Sequence, residues 1–190
     1  SSIRSMKVSY CIPTHDGNAK CQQYLFDIFF ALEHQTNKNF NVWISDHSKS
    51  DKILKACEEY ADLFEINYVK NDLSLGNISS NTNNAMLCAD GDILKVLFSD
   101  DIILTKNLTE ELDRAFTTGV KWVVTGFAHT IDDGRSHYNP KFPVYNDRLL
   151  EGINTLSSPS ILAVRKDLKE YFDEDLVMLM DCDMYYRLYK

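Results

Sequence analysis

Four strand-like segments separated by three amphipathic segments fill the first hundred residues of the chain. The strand-like segments are rich in β-branched, aromatic and other apolar residues, and they cover 7–12, 40–45, 64–69 and 92–98. Between them, apolar residues recur at helical spacing over 20–36, 51–63 and 77–89. This alternation predicts an open, twisted, mostly parallel α/β sheet with right-handed crossovers and helices on both faces.

The remaining residues follow a less regular pattern. They predict a helix over 107–117, strands over 120–127 and 160–165, and a short helix over 167–172. Residues 128–150 are predicted to be irregular, and a connection of that length inside a domain is usually functional or mobile. Since nothing resembles a linker, we predict one domain over 1–190, with residues 1–5 as a non-native addition before Met6.

Composition excludes several classes of protein. The net charge is −8, from 28 acidic and 20 basic residues, which argues against a nucleic-acid binder and against a polybasic membrane anchor. No apolar stretch approaches the roughly 20 residues that span a bilayer, so no transmembrane segment is predicted. The five cysteines are odd in number and form no CxxC pair, which indicates reduced thiols and predicts a cytoplasmic protein.

Polar side chains follow three of the four predicted parallel strands. Thr14 and Asp16 follow the first strand, Asp46 ends the second, and Asp100 and Asp101 follow the fourth. Because the carboxyl ends of parallel strands share one edge of a sheet, where ligands bind, these side chains are expected to lie close together. Carboxylates suit Mg²⁺ or Mn²⁺, and such ions usually bridge a protein to substrate phosphates. The pattern therefore predicts a site for a nucleotide diphosphate.

At this point the chain resembles the family 2 inverting glycosyltransferases of the GT-A fold over nearly its whole length. Five segments, in the family's order, carry the resemblance: Val8 to the Pro13-Thr14 turn, Asp46 to Asp51, Leu75-Gly76 to Asn83, Gly91-Asp92 to Ser99-Asp100-Asp101, and Asp181 to Leu188. Gln35 also falls where the family often has Gln after its first helix. Each motif alone is weak, but their order and spacing together are specific.

The resemblance implies transfer of a sugar from a nucleotide-diphosphate donor, most often a UDP-sugar, to a hydroxyl of an acceptor such as a glycan. It divides the chain into a nucleotide-binding half, 7–101, and an acceptor half, 102–190. The implied nucleotide-binding residues are Pro13, Thr14, Asp16, Asp46, Asn83 and Asp100. Asp101, with Asp100, would hold Mn²⁺ or Mg²⁺, and Asp181 would be the general base.

Four departures from the family pattern leave alternatives open. Phe98 and His47 stand where an Asp is frequent, and Thr82 stands where many relatives have Arg. Which of Asp100 and Asp101 holds the metal therefore stays open. Met180 replaces an acidic residue that often precedes the base, which leaves Asp183 as the alternative to Asp181. The spacing to Arg187 favours Asp181.

Two other functions compete with the transferase. A nucleotidyltransferase would usually carry a Gly-rich basic loop after the first strand, whereas the segment from Pro13 to Lys20 holds one Gly and one Lys. A non-catalytic nucleotide-sugar binding domain is favoured by Phe98 and by the chain ending nine residues after Asp181. The position at which the chain ends also leaves two interpretations open: a minimal enzyme, or one domain of a longer protein.

Overall fold

The structure is a computed structural model, and it describes most of the chain. Described are residues 4–125, 127–129, 138–141, 162–175, 184, 187 and 188, with only the backbone described over 127–129 and 138–141. The predicted bases Asp181 and Asp183 lie outside the described residues.

Strands and helices alternate through the first half as predicted. The strands are β1 (Val8–Thr14), β2 (Phe40–Asp46), β3 (Ile66–Lys70), β4 (Ile93–Val96), β5 (Trp122–Val124), β6 (Phe127–His129), β7 (Tyr138–Lys141) and β8 (Leu162–Arg165). The helices are α1 (Cys21–Glu33), α2 (Lys52–Tyr60), α3 (Ile78–Cys88) and α4 (Leu108–Thr117). None of the helices within the described residues is long and apolar enough to cross a membrane.

Six strands form one sheet in the order β3-β2-β1-β4-β8-β5. The neighbours among β1 to β4 are parallel, whereas β8 runs antiparallel to both β4 and β5. The strands β6 and β7 form a separate antiparallel pair. The prediction of a mostly parallel α/β sheet is confirmed, with β8 as an antiparallel strand between β4 and β5.

Both faces of the sheet are covered, which explains why its central strands are almost continuously apolar. On one face Val8, Tyr10 and Ile12 of β1 pack with buried residues of α1, α2 and α4. On the other face Cys11 packs with Ala85 and Met86 of α3 and with residues of β8. Helices on both faces, as predicted, therefore enclose two apolar layers with the sheet between them.

The register of the parallel strands sets the shape of the sheet's carboxyl edge. Thr14 at the end of β1 lies opposite Asp46 at the end of β2. On its other side β1 pairs with β4 only as far as Cys11 opposite Val96. The last three residues of β1 therefore have β2 beside them but no β4 ladder.

Three predictions for the second half are wrong in detail. The strand expected over 120–127 is divided between β5 and β6, and the 128–150 region holds the β6–β7 pair. The helix expected over 167–172 is a single 3₁₀ turn, Lys166–Leu168. That turn ends at Lys169, whose φ of 53° lies in the left-handed region and cannot continue a right-handed helix.

Candidate functional site

The buried carboxylate of Asp46 is the centre of the polar cluster at the end of β2. Its Oδ1 accepts from the Thr14 hydroxyl at 3.0 Å, the Ser48 backbone N–H at 3.0 Å and the Ser48 hydroxyl at 2.6 Å. Its Oδ2 accepts from the Tyr68 hydroxyl at 2.6 Å. Asp46 has no solvent exposure, and burying a carboxylate is costly unless hydrogen bonds compensate for the lost water. These four donors supply that compensation.

Tyr68 keeps its proton, because burial and then its hydrogen bond to Asp46 raise the pKa of the hydroxyl. It therefore acts as a donor toward Asp46 at physiological pH. Tyr68 lies on β3, next to β2, so the cluster joins three neighbouring strands at their carboxyl ends.

Asn81 of α3 connects the ends of β1 and β2 from the other face of the sheet. Its Nδ2 donates to the Thr14 carbonyl at 3.2 Å, and its Oδ1 accepts from the Ser45 hydroxyl at 2.7 Å. The same Oδ1 accepts from Asn71 at 3.2 Å, and Asn84 donates to the Ser45 hydroxyl at 2.8 Å. A buried polar network of this kind specifies one geometry when its members are satisfied. Helix α3 thus fixes the backbone beside Asp46.

His47 occupies the turn after β2. Its backbone N–H donates to the Thr14 carbonyl at 2.9 Å, and its ring Nε2 lies 3.0 Å from the Leu73 carbonyl oxygen. Burial lowers the pKa of His47 below its ordinary value, so the ring is neutral at pH 7. His47 therefore brings no charge to the position where the family often has Asp.

Asp16 joins the turn after β1 to the turn after β2. Its carboxylate accepts from the Ser50 N–H at 2.8 Å and the Lys49 N–H at 3.3 Å. Hydrogen bonds from Ser50, with a smaller contribution from the Lys49 N–H, outweigh desolvation and lower the pKa of Asp16 to about 2. Pro13 lies within β1, buried and opposite Ser45.

The predicted metal ligands lie on the turn that follows β4. The Asp101 N–H donates to the Phe98 carbonyl at 3.0 Å, Asp100 is exposed, and Asp101 is partly buried. Phe98 packs against the apolar cluster that contains Cys11 and Val96, so this position serves the core. Among the described residues no three His, Cys, Asp or Glu side chains are grouped to hold a metal. One or two carboxylates plus substrate phosphates are nevertheless a usual Mg²⁺ site, so the pair fits such an ion.

Asn83 points away from the Asp46 cluster. Its Oδ1 accepts from the Phe172 N–H at 2.8 Å, and its Nδ2 donates to the Phe172 carbonyl at 2.7 Å. Of the sequence-predicted residues, the structure thus brings Thr14 and Asp46 into contact and ties Asp16 to the neighbouring turn. Asp100 and Asp101 follow the strand on the other side of β1, and Asn83 contacts the segment after β8.

The sequence prediction missed several residues of the site. Among them, Ser48 and Tyr68 donate hydrogen bonds to Asp46, and Asn81 donates to the Thr14 carbonyl from the other face of the sheet. Only Ser48, two residues after an Asp in a turn, carries a signal in the local sequence.

Lys95 is more conspicuous in the sequence, because it interrupts an apolar strand. It is 2% exposed, and its Nζ donates to the Val96 carbonyl at 3.0 Å. Burial lowers the pKa of Lys95 to about 7, partly opposed by the negative charge of Asp101.

Comparisons with solved structures show the fold. S. aureus TarS 1-349 in complex with UDP matches with a TM-score of 0.74 and 21% identity over 97% of this chain and 55% of that one. The TarS complex with UDP-GlcNAc matches with a TM-score of 0.73 and 20% identity, over 97% of this chain and 53% of the TarS chain. The mannosyltransferase PcManGT from Pyrobaculum calidifontis, in complex with GDP-Man and Mn²⁺, matches with a TM-score of 0.62 and 15% identity, over 97% of this chain and 52% of the PcManGT chain.

The chain therefore spans about half the length of these structures. Among curated proteins, no sequence matches it significantly. The model of the family described as Glycosyl transferase family 2 matches residues 9–172, which contain β1 from its second residue, β2 to β4, the Asp46 cluster and the Asp100–Asp101 turn. The chain belongs to glycosyl transferase family 2.

Proposed function

We propose that the protein is a metal-dependent inverting glycosyltransferase that transfers a sugar from a UDP-sugar to a hydroxyl of a glycan acceptor. The observation that carries this proposal is the edge of the sheet. There the Thr14–Asp46 pair ends β1 and β2, and the Asp100–Asp101 turn follows β4 on the other side of β1, within a chain of glycosyl transferase family 2.

Nucleotide binding is assigned to the carboxyl ends of β1, β2 and β4. Pro13, Thr14, Asp16, Asp46 and Asp100 would surround the base and ribose, as the resemblance implies. Since Asp46 is fully buried, we expect it to act mainly by fixing Thr14 and the following turn. The predicted nucleotide contact of Asn83 stays a prediction. The TarS complexes with UDP and UDP-GlcNAc support uridine as the base and a nucleotide-sugar as the donor.

The divalent ion, Mn²⁺ or Mg²⁺, would be held by Asp101 with Asp100. When bound, such an ion neutralises the charge that grows on a leaving diphosphate. The exposure of Asp100 and the strand-end position of both residues leave room for the substrate phosphates that complete such a site. PcManGT, with GDP-Man and Mn²⁺, supports a metal in a protein of this fold.

The general base is assigned to Asp181, with Asp183 as the alternative. A carboxylate that removes the proton of an acceptor hydroxyl, on the face opposite the leaving group, gives inversion in one displacement. The acceptor half, 102–190, would present the hydroxyl. A cytoplasmic location stays a prediction from the cysteine content.

The test is calorimetric titration of UDP with Mn²⁺ and then with EDTA, followed by a screen of UDP-sugars for transfer. We expect binding that requires Mn²⁺, and turnover with at least one donor. GDP is the matched control for the base. Binding without turnover under any donor and acceptor would favour a non-catalytic nucleotide-sugar domain, and turnover of UTP with a sugar phosphate would favour a nucleotidyltransferase. Absence of binding to either nucleotide would contradict the site.

A further inference from the structure

Gln35 matches the family pattern after the first helix but has no part in the proposed mechanism. It lies just after α1, and it is only 1% exposed. Its Nε2 donates to the Thr105 carbonyl at 2.8 Å and to the Ala31 carbonyl at 3.3 Å. Its Oε1 accepts from the Thr109 N–H at 3.0 Å and from the Thr109 hydroxyl at 3.2 Å. These bonds use both donors and both lone pairs of the amide, so its orientation is fixed.

A buried chain of hydroxyl groups continues from Gln35 to the centre of the sheet. Because the Thr109 hydroxyl donates to Gln35, the Tyr10 hydroxyl, 2.7 Å away, donates to Thr109. Thr109 lies in the first turn of α4, Tyr10 lies on β1, and neither residue has any solvent exposure. Gln35 therefore joins the end of α1 to the start of α4 and, through Thr109, to β1.

Thr36, the next residue, contacts the same part of the chain. Its backbone N–H donates to the Lys106 carbonyl at 2.8 Å. Its hydroxyl lies 3.3 Å from that carbonyl oxygen and 3.2 Å from Oδ1 of Asn107. Residues 105–109, which we name the α4 anchor, are thus held by two consecutive residues, Gln35 and Thr36.

The Asp100–Asp101 turn lies between the α4 anchor and a second fixed point, Leu97. Leu97 is buried in the core, and its N–H donates to a carbonyl of β1 at 3.0 Å. Residues 98–104 connect the two fixed points, and within them Ile103 packs against the same core. The turn therefore belongs to a short loop that the rest of the domain holds at both ends.

We propose that Gln35 is a positioning residue for the proposed metal site, because it fixes the α4 anchor and thereby the place of the Asp100–Asp101 turn at the sheet edge. This inference rests on the proposed function, in which that turn holds the divalent ion. Gln35 acts through the backbone of Thr105 and Thr109 and touches neither the ion nor the nucleotide. Groups that orient a metal ligand from behind commonly change metal affinity about tenfold or more when they are removed.

The first measurement is amide hydrogen exchange of the metal-free protein. Gln35→Met keeps the length of the side chain and removes its hydrogen bonds. Peptides covering 98–104 should exchange faster in this variant than in wild type, at a temperature at which both are folded. These peptides exclude Thr109, whose own amide loses its acceptor in the variant. Peptides covering α2 should exchange as in wild type.

The second measurement is calorimetric titration of UDP in Mn²⁺, in which Gln35→Met should bind about tenfold more weakly than wild type. The matched control is Asn41→Leu, which removes another fully buried amide, at the amino end of β2. Asn41 accepts from the Ser9 hydroxyl at 2.6 Å and donates to Asp90 at 2.7 Å. The control should also lose stability in urea, but it should keep the wild-type UDP affinity and the wild-type exchange over 98–104.

If Gln35→Met does not fold, Thr36→Ala loosens the α4 anchor from an exposed side chain and should raise exchange over 98–104 by a smaller factor. Unchanged exchange there in the folded variant would overturn the anchoring. Faster exchange with unchanged UDP affinity, or an equal loss of affinity in Asn41→Leu, would overturn the positioning role. A wild-type protein that binds no UDP in Mn²⁺ would instead overturn the proposed function, and the exchange result would still decide whether Gln35 fixes the turn.

Discussion

Asp46 and the Asp100–Asp101 pair lie at the same edge of the sheet, but their surroundings differ. Asp46 is completely buried and accepts four hydrogen bonds from three residues, Thr14, Ser48 and Tyr68. Asp100 is exposed and Asp101 is partly buried, on a turn that follows β4. The difference separates a carboxylate built into the fold from carboxylates that a ligand can reach.

The unequal lengths of the strands produce this difference. β2 pairs with β1 along all seven of its residues, so Asp46 is enclosed by Thr14 and by Tyr68 of β3. β4 pairs with β1 along only four residues, so the chain leaves the ladder below the level of Thr14. The carboxyl edge of such a sheet is a typical position for a ligand.

The largest effect is expected from a third carboxylate, the proposed base. Asp181→Asn should lower kcat by about 10²–10⁴-fold, because an amide cannot take the acceptor proton. UDP affinity should not change. The matched variant Asp183→Asn should keep most of the activity. Steady-state kinetics with a UDP-sugar would decide, and the reverse ranking of the two variants would transfer the role to Asp183.

The second effect tests Asp46 as part of the fold. Asp46→Ala should lower the free energy of unfolding by about 3 kcal/mol, because buried donors of Thr14, Ser48 and Tyr68 lose their acceptor. Tyr68→Phe removes one donor and should cost about 1 kcal/mol. Urea denaturation measures both. The exposed Asp100→Ala is the control, and a comparable loss of stability there would break the distinction between the two carboxylate sites.

The third effect tests Asp101 as a ligand residue. Asp101→Ala should weaken UDP binding in Mn²⁺ about tenfold, since one carboxylate ligand is removed, and neither the variant nor wild type should bind UDP measurably in EDTA. Calorimetry in each condition checks this. If Asp101→Ala binds UDP normally in Mn²⁺ and Asp100→Ala does not, Asp100 rather than Asp101 is the metal ligand.

The sequence predicted the features of this comparison that follow from periodicity. The alternation of strands and helices predicted the parallel half of the sheet. The polar residues that follow the strands predicted the edge at which Thr14 and Asp46 meet. The burial of Asp46 was not predictable, because its donors Ser48 and Tyr68 are brought to it by strand pairing. The strand at β8 was predicted, but its antiparallel pairing with β4 and the contact between Asn83 and Phe172 were missed, because both join residues more than 65 positions apart.

The smallest effect concerns Asp16, which combines the two situations: it is part-exposed, like Asp101, but it accepts hydrogen bonds, like Asp46. Those bonds lower the pKa of Asp16 to about 2 from its usual 3.8. Because the pKa is lowered by folding, the stabilisation is fully present above pH 4 and is lost as the pH falls toward 2. NMR titration of the carboxyl carbon should give a midpoint near 2.

Ser50→Ala sharpens the Asp16 measurement, because the Ser50 side chain contributes the largest part of this shift. The variant should raise the midpoint without restoring the ordinary value, since the backbone bonds from Ser50 and Lys49 remain. The fold should be unaffected at pH 7, because exposed ion and hydrogen-bond partners contribute little. An ordinary midpoint in wild type would show that solvent exposure decides how a carboxylate behaves at this edge. A low midpoint would show that hydrogen bonding decides, even where water has access.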